Sequence, residues 1–281
     1  MTAIEILLPA FVASLILTGI HAYLGVHVVE RGVIFVDLSL AQIAALGLTV
    51  AYLVGYSVHT SVGAYLFSLG FTFVGAAIFA FTRSRRKTRI PQEAIIGIVY
   101  AVSAAVAILV MSKATQETEH LKEMLVGNIL AVTWYEIGKT AILYALIGAF
   151  HFVFRRQFLL ISMDEPEAER RGLNVRFWDL LFYMSFGFVV TSSVAIAGVL
   201  LVFCFLIVPS VTAMLLTERL GVRLAIGWGM GALVSAAGVG FSFLLDLPTG
   251  ATIVSTFGAV LLLVAGYRLV SQRPTLASPA D

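Results

Sequence analysis

The sequence predicts an all-α fold, a polytopic transmembrane helical bundle of eight or nine spans. Three observations carry that expectation. Hydrophobic residues make up 60% of the 281 positions and charged residues only 12%, whereas a soluble domain has about 45–50% and about 25%. Mean hydropathy is +0.99, too apolar for a chain that stays solvated and disordered. The apolar residues also fall in long runs between charge or turn clusters, each near the roughly 20 residues a helix needs to cross a hydrocarbon core of about 30 Å.

The runs follow in order. Ile6 to Val28 has no basic segment before it and reads as a first span, not a cleavable signal peptide. Val33 to Gly55, Ser61 to Thr82, Ala94 to Ser112 and Thr133 to Phe154 come next. From Phe177 to Thr217 the apolar run is too long for one helix and barely long enough for two. A division at Thr191 to Gly198 gives Phe177 to Ser193 and Gly198 to Thr217, one of which reads either as a full span or as a re-entrant half-helix. Leu224 to Leu245 and Ala251 to Leu269 complete the set. Residues 1–270 thus form one transmembrane domain, with a loop at about 155–176 and a polar tail at 271–281.

Orientation follows from the basic residues, which favour cytoplasmic loops. One set of loops holds Arg31, Arg83, Arg85, Arg86, Lys87, Arg89, Arg155, Arg156, Arg170, Arg171, Arg176, Arg219, Arg223, Arg268 and Arg273; the other holds only Lys113, Lys122 and Lys139. With nine spans the N-terminus is outside and the C-terminus cytoplasmic. The Arg83 to Arg89 cluster reads as a topology determinant beside anionic lipid headgroups. Net charge is only +2, which points to no nucleic-acid partner. One cysteine, Cys204, excludes an intramolecular disulfide or a cysteine zinc cluster and reads as a packing residue. Neither H-E-x-x-H nor G-x-x-x-x-G-K-[ST] occurs, so uphill movement would draw on a partner or an ion gradient.

Ionisable groups inside apolar helices are costly and default to functional candidates. Asp37, about one turn into the second span, stands with Ser39 and Gln42 as hard oxygen donors that suit a divalent cation in a pathway. The alternative is a carboxylate that is solvated or paired with Arg31. Glu93 after Pro91 suits a helix N-terminus, Asp246 a turn, and Glu136 and Asp179 local bonding or snorkelling near span ends. His21 and His27, if buried, each need a hydrogen-bond partner or a metal. His59 and His120 fall in outer loops, and His151 is uninformative. Pro209 frees a backbone carbonyl and predicts a kinked, channel-adjacent helix. In the long loop, Asp164, Glu165, Glu167, Arg170, Arg171 and Gly172 give an acidic start with an early proline, a basic last turn and a glycine stop: one short helix over 164–172. Such a helix either receives a stroke from a separate ATPase or merely caps the bundle.

That segment has company. Leu160-Ile161-Ser162-Met163-Asp164 through Gly172-Leu173-Asn174-Val175-Arg176, then Ala197-Gly198-Val199-Leu200-Leu201-Val202, Leu206-Ile207-Val208-Pro209-Ser210 and Leu245-Asp246-Leu247-Pro248-Thr249-Gly250-Ala251-Thr252 resemble, in order and spacing, the permease subunits of bacterial metal-ion ABC importers, the zinc, manganese and iron family. Leu24 to Val29, Ala94 to Val99 and Leu125 to Val132 add to the likeness, which runs from about Leu24 to Leu263. The resemblance implies a type II importer permease of the bacterial inner membrane, not itself an enzyme and without a cofactor of its own. Two copies would pair with two ATP-hydrolysing ABC ATPase subunits and be fed by an external metal-binding protein. Residues 164–172 would be the coupling helix, and Asp37 falls on the family's pore acid. There the family pattern is Gly-Asp with His four positions after the Asp, but this chain has Val36 and Ala41, followed by Gln42. Only oxygen ligands then remain beside Asp37, a set that suits manganese better than zinc, unless His21 or His27 supplies a nitrogen. The competing expectation is an ion-coupled secondary transporter that needs no ATPase; such folds often carry inverted repeats, and no internal repeat is evident here.

Overall fold

The computed structural model describes residues 3–56, 61–83, 90–112 and 129–271, and all the regular structure among them is helical. In chain order these are α1 (Ala3–Glu30), α2 (Val36–Leu53), α3 (Val62–Thr82), α4 (Gln92–Met111), a 3-10 turn (Ile129–Ala131), α5 (Trp134–Val153), α6 (Arg155–Met163), α7 (Glu165–Arg170), α8 (Val175–Leu216), α9 (Leu220–Leu245) and α10 (Thr249–Ser271). All but the 3-10 turn, α6 and α7 are long and apolar enough to cross a membrane, eight helices among the described residues. Hydrocarbon offers backbone groups no water, so a helix that pairs its own N–H and C=O groups is the form such a chain takes.

The helix ends follow from sequence. Thr133 and Glu136 form a reciprocal capping box on α5, Ser61 accepts from Gly63 N at the start of α3, and Asn174 accepts from Phe177 N at the start of α8. Glu136 therefore bonds locally, as expected. Asp246 ends α9 in the left-handed conformation, φ 50° and ψ 50°, one that Asp tolerates better than most residues. Glu93 sits in the first turn of α4, as expected, and also accepts from Phe35 N at 2.9 Å, which joins the start of α4 to the start of α2.

α8 is the longest element at 42 residues and would extend about 63 Å if straight, twice the thickness of the membrane core. It is not straight. Gly198 has φ 74° and ψ 163°, backbone open to glycine and costly for other residues. Near one end Asp179 bonds Arg31; at the other, Thr217 O accepts from Arg223, which in turn pairs with Glu30. Both ends are thus within side-chain reach of the adjacent residues 30 and 31, so the chain doubles back at Gly198. Residues 175–197 run away from the arginine-rich end and residues 199–216 return to it. These arms are the two candidate spans expected on either side of 191–198, which brings the membrane-length segments to nine. Pro209 lies inside the second arm, and the non-helical residue of α8 is Gly198.

The arms of α8 form the centre, packed on α1, α2, α3, α9 and α10, with Phe182, Tyr183, Phe186 and Phe205 fully buried. Cys204 is a buried free thiol in this packing. Around them, Ile98, Leu109, Leu262, Leu263 and Leu269 are 62–75% exposed, a surface suited to lipid and not to water. Without a hydrophobic drive between helices in lipid, close backbone approach at small residues becomes the packing device. A Cβ on Gly25 of α1 would overlap Leu206 O and Ser210 Oγ of α8. One on Gly47 of α2 would lie 2.8 Å from Phe67 O of α3, and one on Gly238 of α9 would lie 2.8 Å from Ile253 Cα of α10.

Gly25→Ala should therefore destabilise the purified protein by about 1–3 kcal/mol through overpacking. Gly138→Ala, in α5 with nothing within 4 Å of the added methyl, should be neutral or stabilising by up to about 1 kcal/mol. Thermal unfolding in detergent compares the two, and equal melting temperatures would refute the close-contact reading.

Candidate functional site

Asp37 lies in the first turn of α2, 1% exposed. Neither carboxylate oxygen has a hydrogen-bond donor among the described residues. The helix N-terminus favours a negative charge there, and the Tyr144 phenol of α5 is within electrostatic range. The pairing with Arg31 considered from sequence does not form; Arg31 bonds Asp179. Ser39 and Gln42 are buried too, but the three do not converge. At roughly 100° per residue, Ser39 projects about 200° and Gln42 about 140° round the helix from Asp37. Ala41, four residues on, shares the Asp37 face and is buried. No group of three or more His, Cys, Asp or Glu able to hold a metal occurs among the described residues.

The buried histidines serve packing. His21 donates from Nδ1 to Leu17 O at 2.7 Å, since a carbonyl can only accept, which leaves Nε2 as the acceptor 3.2 Å from Ser193 Oγ. Ser193 Oγ is in turn 2.7 Å from Tyr144 OH. This hydroxyl chain joins α1, α8 and α5, and Ser193 Oγ also donates to Val189 O, so Nε2 of His21 shares a single hydrogen with that carbonyl. His151 holds Ser185 Oγ at 2.8 Å and Tyr23 OH at 3.3 Å and stacks on Phe158 with centroids 4.4 Å apart. His27 Nδ1 is 2.8 Å from Ser162 Oγ, while its Nε2 has no partner among the described residues. His59 and His120 lie outside the described residues, as do Arg85, Arg86, Lys87, Arg89, Lys113 and Lys122.

At the arginine-rich end the chain builds a feature that sequence reading missed. Asp179, expected to snorkel or bond locally, is fully buried between two guanidiniums: Arg31 Nη1 at 2.7 Å and Arg83 Nη1 at 2.7 Å and 2.8 Å from its two oxygens. Arg83 Nη2 reaches Glu165 Oε2 at 2.6 Å. No local signal marked it, because Asp179 stands three residues after Arg176 at the edge of its apolar run and its partners are distant in sequence.

The short helix appears as α7. Asp164 caps it by accepting from Glu167 N at 3.0 Å, and Pro166 sits in the first turn. Gly172 stops it at φ 77°, with Gly172 N and Leu173 N bonded to Glu169 O and Ala168 O, the closing pair of a Schellman motif. The guanidiniums of Arg171 and Arg170 hold the Glu167 carboxyl below the usual glutamate range, at 2.7 Å each. These ion pairs persist as pH falls through that range. Before α7, the amphipathic α6 buries Phe158, Ile161 and Ser162. An open pocket of about 500 Å³ adjoins both, lined by Leu159, Leu160, Met163 and Leu173 with Arg156 and Arg171; it contains no acidic group and lies apart from Asp37.

A sequence model described as the ABC 3 transport family matches residues 3–268. The chain is 29% identical over 251 residues to the manganese transport system membrane protein MntC of Listeria innocua, covering 87% of this chain and 84% of that one. It is 27% identical to a probable iron transport system membrane protein of Haemophilus influenzae, over 96% of each chain. Among solved structures, PsaBC from Streptococcus pneumoniae in complex with Fab shares the fold with a TM-score of 0.75 at 24% identity, over 92% of this chain and 90% of that one.

The isolated Asp37 charge makes a stability prediction. At alkaline pH the Asp37 carboxylate is ionised, and a buried ionised group with no donor among the described residues costs more than a buried amide in the same place. At that pH Asp37→Asn should stabilise protein stripped of metal by chelator by on the order of 1 kcal/mol, read as a raised melting temperature. A lowered melting temperature would show that the carboxylate is instead a structural acceptor.

Proposed function

The chain belongs to the ABC 3 transport family, and on that premise we propose that it is the permease of an ATP-driven importer of divalent transition-metal ions. The permease lines the path and does not hydrolyse ATP; two copies pair with two ATPase subunits that do, and an external metal-binding protein delivers the ion. Asp37 is the observation that carries this reading: a fully buried carboxylate without a donor is maintained against its desolvation cost and is functional by default. Among manganese, iron and zinc, the carboxylate oxygens of Asp37 suit manganese best. The relatives named for manganese and iron transport accord with that class.

In this reading α7 is the coupling helix on the cytoplasmic side, seated on the ATPase through Asp164, Glu165, Glu167, Arg170, Arg171 and Gly172. The arginine-rich end supports a cytoplasmic assignment. With nine segments and the arginine-rich end in the cytoplasm, this reading has the N-terminus outside and the C-terminus inside.

Two outcomes test the proposal in vesicles holding this chain with its ATPase. Asp37→Asn should lower manganese uptake at least tenfold while leaving the complex assembled on a sizing column; unchanged uptake would remove Asp37 from the path. Replacing Glu167 and Arg170 together by alanine should release the ATPase or let it hydrolyse ATP without uptake. A coupled, intact double variant would show that α7 is only an interfacial cap, and uptake by the chain without any ATPase would reinstate ion coupling.

A further inference from the structure

Resting on the coupling reading of α7, we propose that Arg83 is a positioning residue that carries displacement of α7 into the helices around Asp37. Packing alone ties α7 to α6 and the start of α8, through the small cluster of Ile161, Ala168 and Val175. Its tie to α3 is ionic. Arg83 caps the C-terminus of α3 and uses both ends of its guanidinium: Nη2 holds Glu165 of α7 at 2.6 Å, and Nη1 holds Asp179 of α8 at 2.7 Å.

The chain of charges continues inward. Asp179 also binds Arg31 at 2.7 Å, in the connector from α1 to α2, and Arg31 donates from Nε to Ser162 Oγ at 2.8 Å and lies 4.0 Å from the centroid of the Phe182 ring. Side-chain exposure falls along this route from 28% at Glu165 through 11% at Arg83 to 1% at Arg31 and 0% at Asp179. Two cations and two anions balance, and away from water such charge-assisted bonds are short and directional. The planar fork of Arg83 makes it a rigid link and not a flexible tether. A shift of Glu165 therefore draws on α3 and α8 together.

α3 in turn bears on α2. Gly47 of α2 meets the α3 backbone at Phe67 and Ser68, and Gly75 of α3 meets Ile43 and Leu40 of α2, which flank the turn after Asp37. Arg31 reaches the same helix from the other direction, six positions before Asp37. Both routes from α7 converge on the first turns of α2.

The test measures manganese ions moved per ATP hydrolysed, in vesicles containing the full complex with its binding protein. Arg83→Gln leaves the neutral Arg31–Asp179 pair in place and Glu165 partly solvated. It should keep ATP hydrolysis yet lower the ions moved per ATP at least fivefold. Arg83→Lys retains the charge without the fork and should lose about half as much on a logarithmic scale; it also serves as the probe if Arg83→Gln does not accumulate. A merely structural role would lower yield or melting temperature in both variants while ions per ATP stay at the wild-type ratio, and that result would overturn the inference. Absence of ATP-driven uptake by the unmodified complex would instead sink the coupling reading itself, and this inference with it.

Discussion

The arrangement depends on satisfying one carboxylate that water cannot reach. Asp179 is fully buried, and removing an ion from water costs several kcal/mol unless paired charges compensate. Two guanidiniums do so, one from the connector between α1 and α2 and one from the end of α3. Meeting that requirement places the ends of three elements at one level. A few residues away, Arg223 ties Glu30 to Thr217 O and brings the returning arm of α8 to the same place. Apolar faces pack on lipid about as well as on each other, so the ions set relative position where greasy surfaces alone would not.

Asp37 is the counterexample within the same bundle. It is as deeply buried as Asp179, yet nothing described donates to it. The histidine and hydroxyl groups near the middle of the bundle are bonded to one another instead. Asp37 and Asp179 thus show two fates of a buried carboxyl in one bundle, one held by paired guanidiniums and one with no donor among the described residues.

Much of this was legible in the sequence, for physical reasons. Hydropathy shows spans because lipid imposes one length and one composition. The chemistry of helix ends showed α7 because it is local: an acidic start with Pro166, a basic last turn and Gly172 as the stop. The overlong run near Thr191 to Gly198 pointed to the reversal, since a straight helix of that length has nowhere to go. What stayed hidden was non-local. Asp179 finds Arg83 and Arg31 across separations of 96 and 148 residues, and no periodicity records that. Grouping Asp37 with Ser39 and Gln42 failed for a different reason: proximity in sequence is not proximity round a helix. The reversal itself falls on Gly198, a glycine free to adopt the positive φ that the turn requires.

The contact at Gly25 has a consequence for how such a bundle moves. With Leu206 O and Ser210 Oγ pressed where a side chain would stand, α1 cannot creep along the returning arm of α8 by even one residue: Leu24 or Val26 would have to enter a slot too small for a methyl group. The glycines at 47 and 238 interlock α2 with α3 and α9 with α10 in the same way. Relative motion among the described helices would therefore carry each interlocked couple as a block.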